Sequence, residues 1–163
     1  MAINMAGLKL PLVLIAENIR SLHNVGSLFR SSDGAGIQKI ILTGLTPTPP
    51  RHEISKTALG TVQTVAWEYQ KDSLSAGLEL KKAGYTLYSL EQTPCARNIF
   101  HIKLQGPAAL VIGHEREGVE SSTLAVFNNH LYIPMQGSGA HSLNVSNAAS
   151  IALYEFARQL CYT

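Results

Sequence analysis

The stretch Leu10–Arg30, LPLVLIAENIRSLHNVGSLFR, decides the fold. Leu10 to Ala16 is an unbroken apolar run, as a strand buried on both faces requires. A polar loop follows at once, and apolar residues then recur at Val25, Leu28 and Phe29 with helical spacing. Asn24 is placed to cap that helix, and Gly34 and Gly36 are placed to stop it. A buried strand running into a helix is half of a β-α-β unit, the building block of a parallel sheet.

The alternation continues down the chain. Lys39–Thr43 (KIILT) reads as a second strand, and Thr46–His52 (TPTPPRH) as a loop, because its prolines fit neither a helix interior nor a central strand. Glu53–Leu59 reads as a short helix, Thr64–Tyr69 as a strand, Ser73–Ala83 as a helix ended by Gly84, and Tyr85–Leu90 as a strand of period two. Ala108–Ile112 (AALVI) is another buried run, and His130–Pro134 starts as a strand and stops at its proline. Ser142–Leu160 reads as one long helix with Leu153, Phe156 and Leu160 on its apolar side. This pattern predicts a single α/β domain over residues 1–163, with a mainly parallel sheet covered by helices on both faces. Ligands of such sheets bind at the carboxyl ends of strands. Three polar clusters lie there, after Ala16, after Ile112 and after Pro134.

Composition narrows the classes. The 163 residues are 45% hydrophobic and only 15% charged, a balance that suggests apolar surface hidden in a partner subunit. The net charge is +2, unevenly spread: residues 1–60 hold six Lys/Arg against three Asp/Glu, and residues 111–163 hold two against four. A basic N-terminal part suits an anionic partner without identifying one. Cys95 and Cys161 are far apart and lack CxxC spacing, as in a cytosolic chain with reduced thiols. The N-terminus lacks signal-peptide character, and no run approaches the roughly 18 apolar residues of a membrane span. The expectation is a soluble, cytoplasmic protein.

The first polar cluster, ENIRSLHNVGSLFR (17–30), gathers Asn18, Arg20, Asn24 and Arg30. Arginine presents a fork of donors suited to phosphate, and asparagine offers both donor and acceptor. Gly26 permits close approach of a ligand or another backbone. The second, VIGHEREGV (111–119), places Gly113 and Glu115 directly after a strand, where a ligand could meet the backbone and a carboxylate could bind a hydroxyl or orient an arginine. The third, IPMQGSGAHSLNVSN (133–147), is a strand end, a Gly/Ser loop and a helix start, with Ser142 as candidate cap and Asn144, Ser146 and Asn147 in the first turns. Each has a bland alternative as a capped helix, a charged turn or a solvated loop.

Other chemistries fit poorly. The loop Gly137–Ser142 resembles a dinucleotide fingerprint, but Ser142 replaces its third glycine and no acidic residue follows on a later strand. The six histidines show no metal-ligand spacing, so no metal is expected; His114 and His141 fall inside motif loops. There is no GxSxG elbow and no P-loop.

Together, in this order and at these intervals, the clusters resemble the three motifs of the SpoU (TrmH-type) branch of the SPOUT methyltransferases. NVGSLFRSSDGAG matches the first motif through Asn24 and Arg30, VIGHEREGV the second through Gly113, Glu115 and Gly118, and IPMQGSGAHSLNVSNAASI the third through Ile133, Pro134, Met135, Ser142 and Asn144. Asn147 departs from the pattern, since many members carry an apolar residue there. The resemblance implies an S-adenosyl-L-methionine-dependent RNA ribose 2′-O-methyltransferase, a C-terminal trefoil knot and a homodimer. It implies cofactor contacts at Leu90, Gly113, Ile133, Met135 and Leu143. It implies a catalytic group of Arg30, Asn24, Glu115, Ser142 and Asn144, in which Asn24 positions Arg30 or the ribose, Glu115 orients Arg30 or binds substrate, and Ser142 and Asn144 fix the ribose or the arginine. Asn18, Arg20 and Arg51 are the expected RNA contacts. The expected substrate is tRNA, with rRNA as the alternative and a non-catalytic RNA-binding module of the same fold as a competing class.

Overall fold

The computed structural model describes residues 7–139 and 141–161. Ala140, in the glycine loop of the third motif, lies outside the described residues, as do residues 1–6, which bear on the signal-peptide reading, and residues 162–163.

Seven strands form one sheet: β1 (Leu10–Glu17), β2 (Ile37–Thr43), β3 (Ala66–Gln70), β4 (Thr86–Leu90), β5 (Arg97–Asn98), β6 (Ala108–Ile112) and β7 (Asn129–Tyr132). Their order is β3-β2-β1-β6-β4-β7-β5, and every neighbouring pair is parallel. The helices are α1 (Leu22–Ala35), α2 (His52–Ala58), α3 (Ser73–Lys82), α4 (Ser121–Val126) and α5 (Val145–Cys161), with single 3₁₀ turns at Thr61–Gln63 and Ile99–His101.

The apolar runs alternate between two buried faces, as strand geometry dictates. Leu12, Leu14 and Ala16 of β1, with Leu110 and Ile112 of β6, pack with Val25, Leu28 and Phe29 of α1 and Leu153 and Phe156 of α5. Val13, Ile15, Ala109 and Val111 point the other way, onto Ala76 and Leu80 of α3 and Phe127 after α4. Both faces are therefore covered, as the continuous apolar runs predict. No helix among the described residues is long and apolar enough to cross a membrane.

Several local expectations are corrected. Ser21, not Asn24, caps α1: its Oγ accepts from the Asn24 N–H at 3.2 Å. Gly36 ends α1 with φ +71°, whereas Gly34 lies inside the helix. Helix α5 starts at Val145 rather than Ser142, and Asn144 Oδ1 takes the Ser146 and Asn147 N–H groups at 2.9 and 3.3 Å. The strand expected at Thr64–Tyr69 is displaced to Ala66–Gln70, because a 3₁₀ turn occupies the residues before it. The two-residue β5 and the six-residue α4 were not expected, being too short to show periodicity.

Candidate active site

The direction of chain progression across the sheet reverses between β1 and β6, which lie side by side. At such a point the loops leaving adjacent strands diverge and open a crevice at the carboxyl ends. Here the loop after β1 meets the loop after β6. Glu115, just beyond β6, accepts from the Ser21 N–H at 3.2 Å, the Arg20 N–H at 3.4 Å and Asn24 Nδ2 at 3.2 Å. The Arg20 and Ser21 N–H groups lie just before α1, where the helix dipole favours a carboxylate. Burial pushes the Glu115 pKa up, but hydrogen bonds from its own N–H, Ser21, Asn24 and Arg20 outweigh this and hold it below the ordinary glutamate value.

Asn24 passes the connection on. Its Oδ1 accepts from Asn144 Nδ2 at 3.2 Å. Asn144 Oδ1 in turn takes the α5 N–H groups and the Ser146 hydroxyl, the last at 2.6 Å. A continuous chain of hydrogen bonds, Glu115–Asn24–Asn144–α5, thus joins all three polar clusters. The sequence supplies it through one residue from each.

Glycine makes the crowding possible. A Cβ on Gly113 would collide with the backbone of Gly118 and Val119. Gly113 is therefore required by the folding back of its own loop, where His114 and Gly118 exchange two backbone hydrogen bonds. A Cβ on Gly26 would strike Thr57 Oγ1 and the Ile54 carbonyl, so this glycine admits α2 against α1 rather than a ligand.

A cavity of about 280 Å³ opens between the ends of β4, β6 and β7 and the start of α5. The five residues expected at a cofactor, Leu90, Gly113, Ile133, Met135 and Leu143, all line it. So do Ser142, Val145 and Ala148. Its charged lining is Glu91, Glu115 and Glu117 against Arg116, a negative excess that suits a cationic ligand. S-adenosylmethionine carries a sulfonium and an ammonium, so these residues fit it.

Glu91 escaped the reading of the sequence. Its Oε2 accepts the Val119 N–H at 2.8 Å, and a Cβ on Gly118, which adopts φ +72°, would meet its carboxylate. The signal was present: an acidic residue immediately after a strand whose end faces the crevice.

Arg30 lies on α1 and is exposed, on a separate polar cavity of about 320 Å³ between α1, α2 and α5. Its guanidinium makes no hydrogen bond or ion pair among the described residues, and neither Asn24 nor Glu115 orients it. Asn18 is taken up internally: Nδ2 donates to Glu120 Oε1 at 2.9 Å and Oδ1 accepts the Leu45 N–H at 2.8 Å. It braces the loop after β1 and keeps one amide hydrogen and one oxygen lone pair beyond these two bonds. Arg20 and Arg51 are exposed, Arg51 directly before α2. Ser142 lines the first cavity instead of capping α5. His114 Nδ1 accepts the N–H groups of Arg116 and Glu117, both at 3.1 Å, and so shapes its turn. His141 is exposed. No group of three or more His, Cys, Asp or Glu capable of holding a metal occurs among the described residues.

Residues 11–154 match the model of the SpoU rRNA Methylase family. The 23S rRNA (guanosine-2′-O-)-methyltransferase RlmB of Vibrio parahaemolyticus is 32% identical over 149 residues, covering 91% of this chain and 60% of the relative. The tRNA (guanosine(18)-2′-O)-methyltransferase of Thermus thermophilus is 30% identical over 148 residues, covering 91% and 75% respectively. The crystal structure of the TrmH/SpoU tRNA modifying enzyme of A. aeolicus superposes with a TM-score of 0.82 at 27% identity, covering 93% of this chain and 76% of that one. The chain therefore spans about three fifths of its RlmB relative and three quarters of the tRNA enzymes.

Proposed function

The chain belongs to the SpoU rRNA methylase family, and from that premise we propose that it is an S-adenosylmethionine-dependent RNA methyltransferase that methylates a ribose 2′-hydroxyl. The observation that carries this reading is the Glu115–Asn24–Asn144 chain of hydrogen bonds beside a cavity lined by Leu90, Gly113, Ile133, Met135 and Leu143.

The cofactor supplies a methyl group already activated on a sulfonium. The protein must hold that group, place the ribose in line with it and stabilise the oxygen as it loses its proton. The negative lining at Glu91, Glu115 and Glu117 would hold the cationic cofactor. The Asn24–Asn144 pair fixes the rim where the ribose enters. The fork of Arg30 holds an adjacent phosphate and stabilises the developing alkoxide. Arg20 and Arg51 extend the basic surface toward RNA. The bound cofactor would supply the methyl to the 2′-oxygen, whose proton would leave to water.

The substrate in this reading is a tRNA. Support comes from the tRNA-modifying relatives, of which this chain covers the larger share. The RlmB relative keeps an rRNA substrate as the second reading. Residues 1–163 act as one methyltransferase domain in the cytoplasm. Its C-terminal segment is threaded as a knot, a reading supported by β7 lying between β4 and β5. A second copy covers the apolar face formed by Phe100, Ile151 and Tyr154, which are 48%, 36% and 54% exposed. Light scattering tests this last point: the wild type should be dimeric and Tyr154→Glu monomeric.

Mass-spectrometric mapping of 2′-O-methyl nucleotides in RNA from cells with and without the gene tests the function. Loss of one mark, restored by wild-type protein and not by Arg30→Ala, is expected. An unchanged map, with no transfer by purified protein to unmodified tRNA or rRNA, would overturn it.

A further inference from the structure

Arg30 does not face its cavity alone. Lys56, on α2, lines the same 320 Å³ space, and no carboxylate does. Both cations are exposed, and neither forms an ion pair or hydrogen bond among the described residues. Several of the other polar groups are already engaged. Ser31 and Ser150 hydrogen-bond each other at 2.6 Å, and Thr57 Oγ1 donates to the His23 carbonyl at 3.1 Å. Ser27 and Asn147 keep side-chain donors that no other described group uses.

The first turns of α5 separate this space from the cofactor cavity. Val145 and Ala148 face the cofactor cavity, whereas Ser146, Asn147 and Ser150 face the basic one. A negative lining and a positive lining thus stand on opposite sides of one helix start, whose partial positive charge adds to the basic side. Two unpaired cations that line one cavity repel, an arrangement that an anion in the cavity relieves.

We propose that this basic cavity is a phosphodiester subsite, in which Lys56 and Arg30 together hold one backbone phosphate flanking the methylated nucleotide. Arg30 supplies the planar fork, Lys56 a mobile point charge, and Ser27 and Asn147 neutral donors. The inference rests on the reading of the chain as an RNA methyltransferase, and it adds Lys56 and Asn147 to the substrate side of the site.

The test uses the full chain with Lys56→Gln and Lys56→Arg. Lys56 is exposed and unpaired, so both variants should keep the wild-type Tm. Inorganic phosphate, followed by ³¹P NMR titration, should bind the wild type, bind Lys56→Gln at least several-fold more weakly, and be largely restored by Lys56→Arg. With unmodified bulk tRNA, Lys56→Gln should lower the slope of log affinity against log salt by about 0.7–0.9, the share of one phosphate contact. KM for the RNA should rise while S-adenosylmethionine affinity stays the same. If Lys56→Gln leaves phosphate binding and the salt slope unchanged in an active enzyme, the subsite is wrong and the functional reading stands. If the wild type neither binds S-adenosylmethionine nor methylates RNA, the functional reading falls, and the phosphate titration still decides whether the cavity is an anion site.

Discussion

Asn144 donates through Nδ2 to Oδ1 of Asn24 across 120 positions of sequence, at 3.2 Å. This bond links the first turn of α1 to the residue that caps α5. Two helices that come from opposite ends of the chain are thereby fixed at one point beside the cofactor cavity.

Asn144 has two separable duties, and two substitutions should part them. Asn144→Ala removes the α5 cap and the link to Asn24, so stability should fall by about 1 kcal/mol and methyl transfer by at least about tenfold. Asn144→Asp keeps an acceptor for the Ser146 and Asn147 N–H groups but has no donor for Asn24. Denaturant melts should show near-normal stability, while transfer remains low. Equal loss of stability in both variants would contradict this division.

Arg30→Ala should leave folding and cofactor affinity alone, because the side chain is exposed, unpaired among the described residues and outside the cofactor cavity. Methyl transfer should drop by about 10²–10³, the usual loss for a donor aimed at developing charge. Arg30→Lys should recover only part of it, since a point charge cannot replace a fork. Single-turnover transfer together with calorimetry of cofactor binding separates these effects.

Glu91→Gln tests the residue that the sequence did not reveal. A glutamine carbonyl can still accept the Val119 N–H, so the loop should keep its shape and Tm should barely move. Removing one negative charge from the lining should weaken S-adenosylmethionine binding by about tenfold, of the order of one charged hydrogen bond. Unchanged affinity in calorimetry would remove Glu91 from the cofactor site.

Acid should loosen the site through Glu115. Its folded pKa is lowered, so the folded state favours the carboxylate. The associated stability is present above the unfolded glutamate value, near 4.3, and is lost as pH falls through the lower folded value. In thermal melts from pH 7 down to 3, wild-type Tm should decline more steeply at the acid end than that of Glu115→Gln. Parallel curves would show that Glu115 carries no such linkage.

Much of this architecture was legible because the sheet is buried on both faces. Runs such as Leu12–Ala16 and Ala108–Ile112 need no partner to be recognised as strands. Helix caps were less legible. Ser21 and Asn24, or Ser142 and Asn144, are equally good acceptors; the choice depends on where the backbone turns, which neighbouring loops decide. The cofactor lining was read from motif likeness, and all five residues meet at one cavity. The pairing of Arg30 with Lys56 was not readable, because it depends on α2 lying against α1 at Gly26. The bonds of Asn18 were unreadable for a related reason: its partners Leu45 and Glu120 come near only in the folded chain.

The chain of bonds from α5 to Glu115 is one-way. Glu115, when ionised, can only accept, so Asn24 must turn its nitrogen toward the carboxylate and its oxygen toward Asn144. Asn144 must then turn its nitrogen toward Asn24 and its oxygen toward the α5 N–H groups. Neither amide can flip without losing the bonds on both of its sides at once. The negative charge in the loop after β6 and the N–H groups at the start of α5 thus demand the same orientation of the Asn144 amide, although Glu115 does not touch it.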